Sequence, residues 1–143
     1  MRPSLDTERC EPEAKLYHWG LDGAGVLYPL MDMLDVEVEL LPCSVKLFLV
    51  TQGAREEDAE LEPAVRGWRS AAQLGVAYGD LLPTLLPVAP GTIRKYFSAT
   101  CKQIERAAIR SGVWHLPPLL VSQPRKGYRL ASGRLKIIDR GKL

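Results

Sequence analysis

The sequence predicts an α+β domain in which short antiparallel strands come first, three helices form the core and a β-hairpin follows. Three patterns lead to this class. Residues 35–40 alternate acidic and apolar side chains, as in a strand with one buried face. Residues 92–110 repeat apolar side chains at three- and four-residue steps, as in an amphipathic helix. Residues 119–130 contain two strand-like runs around a Pro-Arg-Lys-Gly turn.

The first third of the chain is expected to contribute a leader and the opening strands. Residues 1–14 mix proline with charged residues and lack apolar periodicity, which predicts a flexible leader. Residues 15–19 form a short aromatic, strand-like run, and the glycines within residues 22–25 favour a turn. We therefore expect a single domain over residues 15–138, followed by a basic tail at 139–143.

Two helices are predicted before the long one. Pro42 at a first helical position and Gly53 just past the end favour a helix over residues 42–52, although its β-branched residues leave a strand as the alternative. The acidic residues 54–65 are expected to form a solvated loop or a short surface helix. A serine N-cap predicts a short helix over residues 70–77.

The helix over residues 92–110 follows an apolar segment, Leu81–Pro90, whose three prolines predict a loop. Thr92 can cap the start of this helix and Gly112 can end it. We expect core positions for Tyr96, Phe97 and Cys101 on its apolar face. A last strand is predicted over residues 135–138.

Basic charge is concentrated in the last third of the chain. The net charge of +2 is by itself too small to indicate nucleic acid. However, twelve of the nineteen lysines and arginines follow residue 93, together with only two of the seventeen acidic residues. A helix with a basic outer face can enter the major groove, while a basic hairpin beside it can reach phosphates.

The order of elements resembles the winged helix-turn-helix DNA-binding domain of the OmpR type, the output domain of many response regulators. Residues 38–42 resemble the family's strand running into its first helix, and residues 92–102 are similar to its recognition helix. Gly127–Leu130 reads Gly-Tyr-Arg-Leu, like the end of its wing. The resemblance covers residues 36–131. The sequence contains no receiver domain, so phosphorylation control is not expected.

The resemblance implies a DNA-binding transcription regulator whose partner is double-stranded DNA, and the cysteine pattern separately favours a cytoplasmic location. RNA polymerase is a second candidate partner, at the loop Leu81–Pro90, and a homodimer is left open. The alternative is a non-enzymatic module that binds a component of the transcription machinery through that loop or the acidic segment. The DNA-facing residues that the resemblance implies are Arg94, Lys95, Ser98, Lys102 and Arg106 on the helix, with Arg125, Lys126 and Arg129 in the wing.

No catalytic, cofactor or metal site is expected from the sequence. The glycine-containing residues 21–26 lack a nucleotide-binding motif. No apolar run reaches the length of a membrane helix, and an odd cysteine count without CxxC spacing fits a reduced compartment. The only histidines, neither in a metal-ligand spacing, are His18 and His115, and the cysteines are Cys10, Cys43 and Cys101.

Overall fold

The computed structural model describes residues 19–22, 25–29, 37–112, 119–131 and 135–138, which fold as an α+β arrangement. The described strands are β1 (Trp19–Asp22), β2 (Val26–Pro29), β3 (Val38–Glu39), β4 (Leu120–Gln123), β5 (Gly127–Leu130) and β6 (Leu135–Ile138). The described helices are α1 (Pro42–Glu57), α2 (Ala71–Gly79) and α3 (Pro90–Arg110), with a 3₁₀ turn at Pro63–Val65. The expected leader at 1–14 and tail at 139–143 lie outside the described residues.

Helix α1 begins at Pro42 as expected and continues five residues further than the sequence predicts. Gly53 does not end it, because Ala54 and Arg55 are strong helix formers and both are buried. The structure therefore decides against the strand alternative. It also moves the first four residues of the acidic segment into the helix, and the rest forms turns that lead to α2. We call residues 58–69 the connector.

Helix α2 starts at the predicted serine. Ser70 Oγ accepts a hydrogen bond from the Gln73 backbone N–H at 3.1 Å, and Gln73 Oε1 accepts one from the Ser70 N–H at 2.8 Å. This reciprocal capping box satisfies donors that a helix start otherwise leaves without partners. Leu74 and Tyr78 then bury one face of the helix.

Helix α3 confirms the longest helix predicted from the sequence, but its first turn differs from the prediction. It begins at Pro90, preceded by Ala89 as N-cap, so Thr92 lies inside the helix and does not cap it. A proline suits this position because its missing N–H would have no helical partner and its φ is already helical. The chain leaves the helix through Gly112, whose φ is +80°, as the sequence predicts.

Residues 81–89, which we call the apolar loop, return along α2 at very short range. Val88 donates its backbone N–H to the Gly75 carbonyl at 3.0 Å. A Cβ at Gly75 would lie 2.1 Å from the Val88 oxygen, and one at Gly79 would lie 2.3 Å from the Leu86 oxygen. The two glycines therefore let the loop backbone lie directly on the helix.

The strands form two sheets. The first has the order β3-β2-β1-β6, in which β1 pairs antiparallel with β2 and parallel with β6. The second is the antiparallel hairpin of β4 and β5, with Gln123 opposite Gly127. We call residues 120–130 the basic hairpin. The predicted β-hairpin within residues 119–130 and the predicted last strand over residues 135–138 are both confirmed.

The core lies between the three helices and the inner faces of the sheets. Phe48 of α1, Leu74 of α2 and Ile93 of α3 are at most 1% exposed and belong to one apolar cluster. Within it, Ser44 and Thr100 share a hydrogen bond of 2.6 Å between their hydroxyls, which joins α1 to α3. The orientation of α3 is therefore fixed by apolar packing and by one buried polar contact.

Candidate functional site

The outer face of α3 carries an exposed basic stripe. Ile93, Phe97 and Ile104 turn inward at helical spacing, which leaves the opposite side to polar residues. The predicted core position is confirmed for Phe97, while Tyr96 and Cys101 are partly buried against the same cluster. The predicted contact residues on this helix are all exposed, namely Arg94, Lys95, Ser98, Lys102 and Arg106.

The cations of this stripe have no acidic partner among the described residues. Both ion pairs of the described chain belong to Arg69, which contacts Glu57 and Asp58. On α3 itself, Glu105 is the one acidic residue against five lysines and arginines. The stripe therefore presents net positive charge to solvent.

The tip of the basic hairpin adds a second group of cations. Residues 124–126 form the turn, which the Lys126 N–H closes by donating to the Gln123 carbonyl at 3.2 Å. Arg125 and Lys126 are both exposed. Arg125 has φ of +71°, a conformation that favours glycine and costs a bulky side chain about 1 kcal/mol.

A groove of about 460 Å³ brings part of the stripe and the hairpin tip together. Arg94 of α3 and Arg125 and Lys126 of the hairpin tip all line it. The residues that line the groove include no acidic side chain. The other predicted α3 residues, Lys95, Ser98, Lys102 and Arg106, do not line it and continue the stripe along the helix. The arrangement is a concave basic site followed by a linear basic surface.

Ser70 and Ala71, at the start of α2, also line this groove. Peptide dipoles aligned along a helix place partial positive charge at its N-terminus. This charge has the same sign as the three groove cations. A negatively charged group in the groove would therefore be attracted from three different elements, α2, α3 and the hairpin.

Arg129 is the predicted contact residue that the structure contradicts. Its side chain is 4% exposed, and Nη1 donates to the carbonyls of Pro63, Ala64 and Arg66 at 2.9, 3.2 and 3.0 Å. Its guanidinium lies 4.4 Å from the centre of the Trp68 ring. The expectation that Arg129 faces DNA is therefore wrong, because the connector covers this side of β5.

Sequence reasoning missed Ser70, Ser122 and Gln123, which also line the groove. The capping pattern marks Ser70 as a helix start, and helix starts attract anions, so this residue had a usable signal. Ser122 and Gln123 had none, because the packing of the hairpin against α1 and the connector decides their position.

The apolar loop forms a different exposed surface. Leu85 and Leu86 are 66% and 65% exposed, and Leu81 is 43% exposed. Leu85 has φ of +57°, a backbone conformation that is unfavourable for leucine. The loop therefore combines rigid anchoring on α2 with exposed leucines.

The residues considered for metal or thiol chemistry are only partly described. His18, His115 and Cys10 lie outside the described residues. Cys43 and Cys101 are free thiols, and burial raises the pKa of the Cys101 thiol to about 11. Within the described ranges, histidine, cysteine and acidic side chains do not form a group of three that could hold a metal ion.

Comparison with known proteins does not identify a family for this chain. No protein-family model matches it, and neither does any curated protein or any solved structure. In the part of the chain that the structure describes, no helix has the length and apolar character needed to span a membrane. The basic groove and stripe are therefore the features of the molecule that bear on its function.

Proposed function

We propose that this protein is a DNA-binding transcription regulator of winged helix-turn-helix architecture. The observation that carries the proposal is the groove that is lined both by Arg94 of α3 and by Arg125 and Lys126 of the basic hairpin. In this architecture α3 is the recognition helix and the hairpin is the wing. A phosphate in the groove would contact cations of both elements at once.

The dimensions of α3 agree with major-groove binding. Its 21 residues give a length of about 30 Å, and the major groove, about 12 Å wide, accepts one α-helix. Arg94, Lys95 and Ser98 lie on its outer face in the half nearest the groove, and Lys102 follows on the same face just beyond the midpoint. Arginine and lysine bind guanine and phosphate, and serine accepts or donates at several base edges. The stripe therefore has the chemistry to read bases.

The backbone of Arg125 supports a functional role for the hairpin tip. A glycine would adopt φ of +71° without strain, yet an arginine occupies this exposed position. Strained residues of this kind are concentrated at binding sites, where the side chain compensates for its conformational cost. We infer that the guanidinium contacts a ligand phosphate.

The direct test is a titration of the protein with a 20-bp duplex of random sequence at several salt concentrations. Release of counterions by phosphate contacts should make log K fall linearly with log salt, by roughly 0.9 for each phosphate neutralised. We expect a slope of about −5, from the cations of the stripe and tip. Absence of binding, or binding that is independent of salt, would contradict the proposal.

Charge reversal locates the contact surface. Lys95→Glu and Lys102→Glu should each weaken duplex binding at least tenfold, and the double variant should abolish it, because repulsion replaces attraction at the phosphate backbone. Lys46→Glu, on α1, makes the same change in net charge outside the proposed surface and should weaken binding less than threefold. Equal losses for Lys46→Glu and Lys102→Glu would leave only a general charge effect. Circular dichroism checks that all variants are folded.

A second candidate function is favoured by the apolar loop. Leu81, Leu85 and Leu86 expose aliphatic side chains within one short segment whose backbone is bonded to α2, and exposed apolar surface is typical of protein contacts. In this role the protein would bind a component of the transcription machinery through the loop. Leu85→Asp and Leu86→Asp should then abolish capture of purified RNA polymerase without nucleic acid, and leave duplex affinity unchanged. Capture that persists in both variants would contradict this role.

A further inference from the structure

Strand β5 of the basic hairpin is joined to the connector by backbone hydrogen bonds. Arg69 donates its N–H to the Tyr128 carbonyl at 3.0 Å, and Tyr128 donates its N–H to the Arg69 carbonyl at 2.8 Å. The approach is so close that a Cβ at Gly127 would lie 2.2 Å from the Arg69 oxygen. The connector thus pairs with β5 at Arg69 like a short third strand of the hairpin.

Arg129 makes the second attachment, from the side of the hairpin. Its guanidinium is surrounded by carbonyls of residues 63–66 on one side and by the Trp68 ring on the other. The Trp68 indole donates to the Ala64 carbonyl at 3.2 Å, which fixes the ring in turn. Lys126 at the hairpin tip places its ammonium 5.6 Å from the centre of the same ring. Trp68 therefore lies between a buried cation and a tip cation.

The connector is itself held to the end of α1. Arg69 Nη1 donates to Asp58 Oδ2 at 2.9 Å, and Nη2 donates to Asp58 Oδ1 at 3.1 Å and to Glu57 Oε1 at 3.0 Å. Asp58 Oδ2 also accepts the Gly67 N–H at 2.8 Å. Arg55 of α1 reaches β5 directly, donating from Nη1 to the Leu130 carbonyl at 2.7 Å. Three arginines thus connect the hairpin to the helical core.

A two-stranded hairpin alone has little stability and no fixed orientation. These contacts therefore stabilise the hairpin and also determine where its tip lies. If the tip cations moved freely, ordering them on a ligand would cost entropy for two long side chains and the turn. We propose that Arg129, stacked on Trp68 of the connector, is a positioning residue that fixes Arg125 and Lys126 at the groove that Arg94 also lines. Arg129 acts through the tip and does not touch the ligand. This inference rests on the proposed DNA-binding function.

The first test compares Arg129→Gln in two backgrounds, with the 20-bp duplex as probe. In the wild-type background we expect binding to weaken roughly tenfold. The slope of log K against log salt should also fall by the equivalent of about two phosphate contacts, because two tip cations lose their fixed position. In the Arg125→Ala/Lys126→Ala background the same substitution should change Kd less than twofold. Equal losses in both backgrounds, or an unchanged salt slope, would overturn the proposal.

Rescue and control variants separate positioning from misfolding. Arg129→Lys keeps the charge over Trp68 but cannot span three carbonyls, so we expect an intermediate Kd. Trp68→Leu removes the stacking surface from the connector side and should reproduce the flatter salt slope even if Arg129→Gln folds poorly. A merely structural role would reduce the fraction of folded protein and leave the slope of the remaining binding unchanged.

A second readout needs no DNA. Amide hydrogen exchange of Tyr128 reports whether the hairpin stays paired with the connector, and that of Ile104 reports on α3. In Arg129→Gln, Tyr128 should exchange at least tenfold faster while Ile104 is unchanged. Unchanged protection of Tyr128 would overturn the positioning role. If Tyr128 exchanges faster in Arg129→Gln while the wild-type protein binds no duplex, the proposed DNA-binding function fails, but the attachment of the hairpin by Arg129 stands.

Discussion

The basic hairpin and the apolar loop are held to the core by the same device and display opposite surfaces. In each, a glycine lets one backbone lie on another: Gly127 against Arg69 in the hairpin, and Gly75 against Val88 in the loop. Each also exposes one residue at positive φ, Arg125 in the hairpin and Leu85 in the loop. The hairpin thereby presents cations, and the loop presents leucines.

This difference shows how one core can support two kinds of contact. A glycine contact fixes the position of a segment but leaves its outward side chains free to vary. Of these two segments, only the hairpin is also held by charged side chains. These are Arg129 and the ion pair of Arg69 with Asp58. The hairpin should therefore depend on pH and on charge where the loop does not.

The largest effect is expected for Gly127→Ala, which should lower the free energy of unfolding by about 4 kcal/mol. About 1 kcal/mol comes from φ of +101°, and the rest from displacing Arg69 and losing paired hydrogen bonds. Urea denaturation measures the change. Gly112→Ala is the matched control, because Gly112 has φ of +80° with nothing within 4 Å of its Cβ position, and it should cost about 1 kcal/mol. Equal losses would disprove the backbone contact.

The next largest effect is expected where the loop lies on α2. Gly75→Ala should destabilise the fold by about 3 kcal/mol, because the new Cβ would force the loop away from the helix and break the bond from Val88. Gly53→Ala makes the same substitution in α1 with nothing within 4 Å, and should stabilise by about 0.8 kcal/mol through helix propensity. Thermal unfolding of the two variants should shift in opposite directions. A shift of Gly75→Ala to higher temperature contradicts the packing.

Asp58→Ala should cost about 2 kcal/mol, because it removes charged hydrogen bonds to Arg69 and one to Gly67. The hydrogen bonds from Arg69 lower the pKa of Asp58, so its stabilising contribution is complete above the unfolded value of about 3.9. That contribution is lost as pH falls through the lower folded pKa. The stability difference between the wild type and Asp58→Ala should therefore begin to narrow as pH falls below about 4 and should close only below the folded pKa of Asp58.

Acid also provides a direct comparison of the two regions. As Asp58 becomes protonated, the Tyr128 amide of the hairpin should lose protection from hydrogen exchange before the Val88 amide of the loop does. Val88 is held by a bond to the Gly75 carbonyl and needs no ionised group. Simultaneous loss of protection would mean that the hairpin and the loop unfold together.

The smallest effect is expected at the two strained positions. Leu85→Gly and Arg125→Gly each relieve an unfavourable φ but add entropy to the unfolded chain, so each should raise stability by at most about 0.5 kcal/mol. The variants should differ in function: Arg125→Gly weakens duplex binding and Leu85→Gly does not. Equal duplex affinities would contradict the assignment of the tip to DNA.

The local elements of this fold are largely readable from the sequence because their signals are local. Helical periodicity predicts α3, and the serine cap predicts the start of α2. Errors occur where burial overrides a local signal. Gly53 reads as a helix end, yet α1 continues because Ala54 and Arg55 pack inward.

The candidate site was less predictable, because it is assembled by contacts between distant residues. Arg129 reads as an exposed wing cation, but it is covered by residues more than sixty positions earlier in the chain. Trp68 is partly buried and serves as the stacking surface for that arginine. A single sequence carries no local pattern for such a pairing, whereas the exposed positions on α3 follow directly from its period.

The parallel pairing of β1 with β6 has a consequence for synthesis. Trp19 lies opposite Leu135, so the sheet cannot be completed until almost all of the described chain has left the ribosome. Before then, one side of β1 is an open strand edge able to pair with another nascent chain. Such distant strand contacts also slow folding, because a long loop must close before they form.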